Sequence, residues 1–491
     1  MSGPRDVAVV SDVHISERRP ASLGAFVRFL AGEDGHLAGA SRLVLLGDLF
    51  DAWFGRRMAL VPFYRRALEA LAGVAARGLE VEFLAGNRDF LFDAATAREF
   101  GVAVRTEDEI EVGAGPCRSV LLHGDTLCTA DVAYQRLRRV VRSAPARLAA
   151  RLLPHGALSA VAGALRRRSV EAVKGKRQAV LEISRAAALE ALARHPGSRH
   201  VVCGHVHEAA VRGIGVDGGA LLYTLGSWSG SGGTYALVKP EGPRLVRFRA
   251  RPSSSGASLD TDRGESPEPR SLGPVVTIDG PAGSGKSTIA KELARRLGYR
   301  YLDSGALYRA VTWRCLRSEI SLEDESAVVA AARDMAVELR DGRTVLVDGE
   351  DVTPHLRDAD VTSHVSRVAE IAGVRERLLP VQRAEAKGGS LVAEGRDMGS
   401  VVFPDAETKI FLDASLEERA GRRRAELLER GESVSLDRVV DDLRRRDEWD
   451  SSRRTAPLRR GDDFVTIDTT GLPLERVLDV VLATVRAGGG R

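Results

Sequence analysis

Lysine is scarce in this chain. Only seven of its 72 basic residues are lysines, so arginine carries the positive charge and each lysine is more informative than usual, Lys286 above all. Cysteine is scarcer still. Cys117, Cys128, Cys203 and Cys315 form no CxxC pair and no dense cluster, which excludes a disulfide framework or a zinc knuckle and points to a reducing compartment. Neither sign of charge dominates, because 72 Lys and Arg against 68 Asp and Glu leave a net +4; no nucleic-acid partner is expected. No apolar run reaches the roughly 18 residues that a spanning helix requires. The nearest, Leu148 to Leu165, is broken by Arg151, Pro154 and His155 and reads as a surface-associated or substrate-covering segment. The start, MSGPRDVAVVSDVH, has no basic region leading a long apolar stretch, so no signal peptide is read and a cytoplasmic location is expected.

What is present is enough chain for two or three cores: 491 residues, 44% hydrophobic and 29% charged, a globular balance that excludes wholesale disorder and fibrous repeats. Ser, Pro, Gly and Asp crowd Arg251 to Pro274, which marks a linker with a reach of about 25–30 Å. The expected division is a domain over 1–250, the linker over 251–274 and a second domain over 275–491. In the first, apolar runs at Val7–Ser11, Leu43–Gly47, Val81–Ala85, Val120–Leu122 and Val201–Cys203 read as buried strands. Helical patterns lie between them at Leu23–Leu30 and Tyr64–Ala76, and LLYTLGSW, TYALVKP and RLVRFRA read as meander strands. In the second, VVTID, SLVAEG, TKIFLDA and FVTID alternate with helices. Both halves are therefore α/β, with no internal repeat.

The strand-like runs of the first half end in acids, amides or imidazoles. SDVH supplies Asp12 and His14, GDLFD Asp48, GNRD Asn87, LLHGD His123, and CGHVH His205 and His207. Carboxyl ends of parallel strands gather on one sheet edge, so donors scattered over two hundred residues converge. Seven such donors suit two divalent ions about 4 Å apart that turn a bridging water into hydroxide. Mixed oxygen and imidazole donors suit Mn, Fe, Zn or Co rather than Mg alone, and manganese is the expectation. Singly, each motif reads as a turn or a solvated histidine. The ordered series carries the reading. His36, His155, His195, His200, His355 and His364 have no partner motif and read as surface or structural.

The DxH, GD, GN, HGD and GHxH series resembles the metallophosphoesterase superfamily. The fuller strings GDLFDAWFG, GNRDFL and HGDTLCTADVAYQ resemble UDP-2,3-diacylglucosamine pyrophosphatase over about Arg5 to Ala250. That resemblance implies a layered α/β domain with a helical cap over about 133–178, and release of UMP and 2,3-diacylglucosamine 1-phosphate in the lipid A pathway. It also implies one metal on Asp12, His14, Asp48 and His207, another on Asp48, Asn87, His123 and His205, and substrate contacts from Arg88, Tyr134, Arg166, Ser169 and Lys176. Val173 stands where that family usually has an asparagine. Many superfamily members follow the GN pair with a histidine that protonates the leaving group, whereas this chain has Arg88. Guanidinium is no acid near pH 7. A leaving group that is itself a phosphate monoester, with a second pKa of about 6, needs none, which points to a pyrophosphate. Leu148, Leu152, Leu153, Leu158, Val161 and Leu165 form an apolar stripe beside Arg166, Arg167 and Arg168. It reads either as ordinary helix packing or as a surface for a lipid with an anionic head, in peripheral contact with the inner membrane.

In the second half GPAGSGKS follows a strand and opens the helix TIAKELARRLG, the context of a phosphate-binding loop. The ATP-binding set is Gly280, Pro281, Ala282, Gly283, Ser284, Gly285, Lys286, Ser287 and Thr288. Its glycines turn backbone N–H groups toward phosphate, Lys286 reaches the β/γ-phosphates and Ser287 takes the Mg²⁺ that accompanies ATP. The strings DSGALYRA, SRVAEIAGVR and EGRDMGSVVFPDA and the arginine-rich tail resemble bacterial cytidylate kinase from about Val275 to Ala487, and neither NKxD nor DGFPR is present. The resemblance implies a P-loop nucleoside monophosphate kinase fold. Ser304, Arg309 and Arg396 would hold the acceptor phosphate, and Ser366, Arg375, Asp397 and Arg453 would surround cytosine. Asp450 with Arg446 would take the sugar hydroxyls. Arg446, Asp450 and Arg453, at i, i+4 and i+7, share a helix face that reads either as a nucleotide contact or as a solvated, salt-bridged face. Arg419, Arg422 and Arg423 share another, where like charges repel unless an anion joins them. By itself that helix reads as a solvated charge run; in a nucleotide kinase, as the resemblance implies, it would belong to a lid, with Arg422 and Arg423 joining Lys286 and Arg396 in phosphoryl transfer.

The expectation is a bifunctional enzyme: a Mn-dependent pyrophosphatase for a UDP-diacylglucosamine-like lipid, and an ATP-dependent kinase for CMP or dCMP. Alternatives for the first half are a general nucleotide or phosphodiester hydrolase, or a non-catalytic scaffold. For the second they are another small-metabolite kinase or a nucleotide sensor.

Overall fold

The computed structural model describes residues 6–113, 117–143, 145–146, 182–215, 218–250, 273–340, 344–453 and 455–488. Arg166, Ser169, Lys176, the apolar stripe, most of the expected cap and nearly all of the expected linker lie outside the described residues. The chain divides into two compact units, Met1–Leu259 and Asp260–Arg491.

In the first unit β1 (Asp6–Val10), β2 (Ala40–Leu45), β3 (Glu80–Phe83) and β4 (Val102–Val104) lie side by side and parallel. Their crossovers carry α1 (Pro20–Ala31), α2 (Pro62–Ala76) and α3 (Ala94–Glu99). Buried on both faces, residues 7–10 of β1 and 43–45 of β2 read as continuous apolar runs rather than alternating ones. Pro20 fits the first turn of α1, where its missing N–H goes unused, and Gly32 stops the helix in a left-handed turn (φ 83°) whose N–H donates to Arg28 O and Phe29 O.

A second sheet contains β5 (Glu109–Val112), β6 (Arg118–Leu122), β7 (Ser198–Cys203), β8 (Ala210–Gly213) and β9 (Leu221–Thr224), in the order β8-β9-β7-β6-β5. Of these β6, β7 and β9 are parallel, while β5 and β8 pair antiparallel at the edges. The hairpin of β10 (Gly232–Lys239) and β11 (Gly242–Arg249) closes the first sheet against β1. This corrects one expectation: TYALVKP and RLVRFRA do form a hairpin, but LLYT enters the other sheet, parallel to β7. Every residue of β9 is buried, so its apolar run states burial and says nothing about which strand lies beside it. Helices α4 (Val132–Val141) and α5 (Arg185–Arg194) precede β7.

Aromatic residues are only 5% of the chain, and several meet beneath α1. The Phe29 ring centroid lies 5.2 Å from that of Trp228, 5.0 Å from Tyr235 and 5.5 Å from Phe248, so one helix face is clamped onto the hairpin.

The second unit is a parallel sheet of β12 (Val275–Asp279), β13 (Arg300–Asp303), β17 (Leu391–Gly395), β18 (Thr408–Asp413) and β19 (Val465–Asp468), with β17 and β18 flanking the central β12. Around it run α6 (Lys286–Leu297), α7 (Ser304–Arg317), α8 (Glu325–Asp334), α9 (Ala359–Val368), α10 (Ala372–Ala386), α11 (Leu416–Glu429), α12 (Leu436–Ser452) and α13 (Leu474–Gly488). A small antiparallel sheet of β14 (Val337–Arg340), β15 (Thr344–Val347) and β16 (Glu350–Asp351) stands apart from it. That sheet and β13 are additions to the sequence reading.

Phe29→Ala should cost the first unit about 3–5 kcal/mol, because it empties a site that three aromatic neighbours cannot collapse into. Calorimetric scans should show one unfolding transition lowered and the other unmoved.

Candidate functional site

The carboxyl ends of the parallel strands deliver the predicted donors to one edge of each sheet in the first unit. Asp12 and His14 follow β1, Asp48 follows β2, Asn87 follows β3, His123 follows β6, and His205 and His207 follow β7. Backbone bonds sew these turns together: Leu46 N–H donates to Val10 O at 2.8 Å, His14 N–H to Asp48 O at 2.9 Å, and Gly204 N–H to His123 O at 2.9 Å. Nine non-glycine residues among those described have left-handed backbone, and five are donor candidates: Asp12, His14, Asp48, His205 and His207, with φ of 51–69°. Such a conformation is unfavourable for a residue with a Cβ and tends to collect at functional sites.

The donors fall into two groups, Asp12 with His14 and His207, and Asp12 with Asp48 and His123. In the first, His14 Nε2 lies 2.9 Å from His207 Nε2, and Asp12 Oδ1 lies 3.3 Å from His207 Nε2. In the second, Asn87 Oδ1 lies 2.9 Å from His123 Nε2. Turning that amide over would let its NH₂ donate to both Asp48 oxygens, at 2.8 and 3.1 Å. As placed, carboxylate and amide oxygens and imidazole nitrogens, all able to offer an electron pair, lie within hydrogen-bond distance of one another. Atoms bound at about 2.0–2.2 Å to one ion sit about 3 Å apart, so this donor set fits a divalent cation. His14 Nδ1 is also buried with no hydrogen-bond partner, and lies 4.0 Å from Asp48 Oδ2. The His205 ring stands outside both groups, its centroid 5.2 Å from that of His123, while its backbone N–H donates to Asp12 Oδ2 at 2.8 Å.

Electrostatics agrees with a missing positive charge. Burial, with Asp89 and Asp12 nearby, pushes the Asp48 carboxyl up to about 7. Burial holds His14 down to about 3 against the opposing pull of Asp12, and burial with His123 holds His205 down to about 4. Both imidazoles are thus neutral, the form that binds a metal. Burial works against the Asp12 charge, but His207, His123 and His14 outweigh it and keep that carboxyl below its ordinary value.

Arg88 lies on this centre. Its Nε is 3.3 Å from Asp48 Oδ2, and its Nη1 donates to Asp51 Oδ1 at 2.8 Å. Tyr134, from α4, donates its hydroxyl proton to Asp125 Oδ2 at 2.6 Å. Asp125 also accepts from Arg138 Nε at 2.8 Å, and Arg142 Nη2 donates to Gly86 O at 2.7 Å beside Asn87. Asp51 and Asp125 were not singled out from the sequence. Both extend quoted motifs, GDLFD and HGD, whose final acids carried the signal.

In the second unit the phosphate-binding loop joins β12 to α6. Gly280, Gly283 and Gly285 have φ of 149°, 76° and 89°, and a Cβ on Gly280 would sit 2.0 Å from Leu412 O; this turn requires glycine. Lys286 Nζ donates to Pro281 O at 2.6 Å and Ser284 Oγ to the same oxygen at 3.1 Å. Ser287 Oγ donates to Glu394 Oε2 at 2.8 Å, another acid that the sequence reading passed over.

A cleft of about 790 Å³ opens beside the loop. Ala282, Gly283, Gly285, Lys286, Ser287 and Thr288 line it, as do Ser304, Arg309, Ser366, Arg375, Arg396, Asp397, Arg446, Asp450 and Arg453. Eleven cationic side chains against seven acidic ones line the cleft, a balance suited to polyphosphate. Asp397 pairs with Arg375, and Asp450 pairs with Arg453 and accepts from Arg396 Nε at 2.8 Å. Arg453 caps α12, so the three residues read from one helix face stand at its end.

The arginines of α11 differ from expectation. Carboxylates relieve their repulsion without any outside anion: Arg419 pairs with Asp447 at 2.7 Å, Arg422 with Glu418 at 3.0 Å and Arg423 with Glu426 at 2.9 Å. Arg423 lines the cleft. Arg422 instead donates to Thr469 Oγ1 at 2.9 Å and Thr469 O at 2.8 Å.

Comparison with known proteins sorts the two units. Residues 6–209 match the calcineurin-like phosphoesterase family and residues 276–487 match cytidylate kinase. A cytidylate kinase of Geobacillus kaustophilus is 48% identical over 213 residues, covering 43% of this chain and 95% of that protein. Through its second unit, the chain belongs to the cytidylate kinase family. A cytidylate kinase of Caldanaerobacter subterraneus is 48% identical over 211 residues (43% of this chain, 94% of its own), and one of Clostridioides difficile is 43% identical over 211 (43% and 97%). The first unit is a calcineurin-like metallophosphoesterase domain, so this cytidylate kinase family member carries a second, hydrolase-type unit in the same chain.

Burial, and after it Arg396, lowers the Lys286 ammonium to about 7, so above that pH the free cleft holds much of it neutral. Bound triphosphate restores the charge, and the complex takes up a proton. Calorimetric ATP titrations at pH 8 in buffers of different ionisation enthalpy should show that uptake, fading below about pH 6. Identical heats in all buffers would refute it.

Proposed function

We propose that the chain is a bifunctional enzyme: its first unit hydrolyses the pyrophosphate of UDP-2,3-diacylglucosamine to UMP and 2,3-diacylglucosamine 1-phosphate, and its second transfers the γ-phosphoryl of ATP to CMP or dCMP. The first assignment is supported above all by the convergence of electron-pair donors at the strand ends on left-handed backbone. Two divalent ions, manganese in this reading, would be held by Asp12, His14, Asp48 and His207 and by Asp48, Asn87, His123 and His205, and would supply hydroxide and phosphoryl polarisation. Arg88 lends fixed positive charge where the leaving phosphate departs and transfers no proton. Asp51 orients it. Arg166, Ser169 and Lys176 complete the proposed lipid contacts with Tyr134. Diacylated substrate would bring the enzyme to the inner membrane surface, although no helix among the described residues is long and apolar enough to cross a membrane.

The kinase assignment rests on one cleft that joins the phosphate-binding loop to all nine predicted acceptor residues. In this reading Ser304, Arg309 and Arg396 clamp the CMP phosphate, Ser366, Arg375 and Asp397 read cytosine, and Arg446, Asp450 and Arg453 hold the sugar. Lys286, Arg422 and Arg423 balance charge on the transferred phosphoryl, with Thr469 bracing Arg422, whose guanidinium borders Gly285 of the phosphate-binding loop.

Asp48→Ala should abolish UMP release from the lipid substrate, leaving CMP phosphorylation within about twofold, and Lys286→Ala should do the reverse. Loss of both activities in either variant would contradict independent sites. With Mn²⁺ present, hydrolysis of a simple UDP-sugar as fast as of the diacylated one would rule out the lipid assignment.

A further inference from the structure

Asp89 belongs to neither donor group, yet its carboxylate is fully buried among the turns that carry them. Oδ1 accepts from the backbone N–H of Asp48 at 3.1 Å and of Gly86 at 3.0 Å. Oδ2 accepts from Leu49 N–H at 2.8 Å and Phe50 N–H at 3.3 Å. Three of these donors are successive amides, and successive amides that follow a left-handed residue form a concave seat for an anion. Gly47, with φ 74°, precedes them, and Asp48, with φ 52°, continues the left-handed turn. The fourth amide belongs to the facing turn. The two turns touch backbone to backbone: a Cβ on Gly47 would lie 2.1 Å from Gly86 N, and one on Gly86 would lie 2.3 Å from Asp48 N.

We propose that Asp89 is a positioning residue for the first unit's cation pair: it is the internal anion that holds Asp48 in its left-handed conformation and pins the Gly47–Phe50 turn to the Gly86–Asn87 turn. The Asp48 carboxylate and the Asn87 amide oxygen then face the same ion before that ion arrives. Asp89 itself ligates nothing, since both of its oxygens are spent on amides. The inference rests on the metal reading above and adds the device that sets the spacing of two of its ligands. An asparagine at this position has one acceptor oxygen, and its NH₂ would face two of the four backbone N–H donors instead of accepting from them. Released from its seat, Asp48 relaxes toward ordinary backbone and the two ligands part.

The test is a calorimetric titration of the full chain with Mn²⁺ for wild type, Asp89→Asn and Asp89→Glu, paired with thermal scans in the absence of metal. The expected result is Mn²⁺ binding at least tenfold weaker in Asp89→Asn, pyrophosphate hydrolysis of the UDP-sugar substrate restored by excess Mn²⁺, and affinity nearer wild type in Asp89→Glu, which keeps the anion. Unchanged Mn²⁺ affinity in Asp89→Asn, beside normal wild-type uptake, would overturn the role of Asp89 alone. Loss of the first unit's cooperative transition in both variants would make Asp89 a general fold residue and overturn it too. A wild-type chain that takes up no Mn²⁺ would instead remove the metal reading and this inference with it.

Discussion

Electron-pair donors do not gather in a low-dielectric interior without a positive charge to share. In the first unit Asp12, Asp48 and His123 are all buried within reach of one another, and the Asp48 carboxyl is pushed up to about 7 by that confinement. Arg88 relieves part of the strain from one side at 3.3 Å, but a guanidinium is too broad to enter between the imidazole and carboxylate groups. The rest of the unit follows from keeping those groups in place. Parallel strands end on one edge, glycines at 47, 86 and 204 let turns touch, and left-handed residues aim side chains inward at a conformational cost.

The second unit poses the opposite problem. Cations outnumber acids around its cleft, burial depresses Lys286 to about 7, and burial with Arg396 depresses Arg446 to about 10. Glu394, Asp397 and Asp450 offset only part of that charge. One site lacks cations and the other lacks anions, and each is completed by what the proposed chemistry brings: metal ions to the first, a triphosphate and a monophosphate to the second. Preorganised charge of this kind needs no rearrangement when the reacting group arrives.

The sequence was legible wherever a chemical residue follows an apolar run, because a buried parallel strand leaves its next residues at the active edge. Asp48, Asn87, His123 and the phosphate-binding loop all obey that rule. It failed where the run itself was weak. Val337–Arg340 has no buried residue, and β13 offers only Tyr301 and Leu302 as buried apolar residues, so neither announces a strand. It failed again for strand neighbours, since the buried run LLYT fits a parallel or an antiparallel partner equally well. Asp89 and Asp125 close the quoted motifs GNRD and HGD, but their roles escaped notice for a different reason. Their partners, backbone amides for the first and Tyr134 with Arg138 for the second, leave no spacing pattern in the chain. The arginine face of α11 shows the limit of local charge arithmetic: Asp447, which neutralises Arg419, lies on α12 and is invisible from the helix being read.

Arg88 ties the proposed hydrolysis to the kinase chemistry. An acid at its position would let the first unit expel an alkoxide, which needs a proton as it leaves. A guanidinium held by Asp51 and leaning on Asp48 offers charge and no proton, so the favoured bond is one whose leaving group is already stable as an anion. A phosphate monoester, with a second pKa of about 6, meets that condition; an ester oxygen does not. The acceptor of the second unit is the same kind of group, a phosphate largely dianionic near pH 7, which attacks without a strong general base. Under this reading both units dispense with proton transfer to the reacting oxygens and work by placing positive charge around phosphate, so an arginine-rich chain with seven lysines meets the electrostatic need of both with one side-chain type.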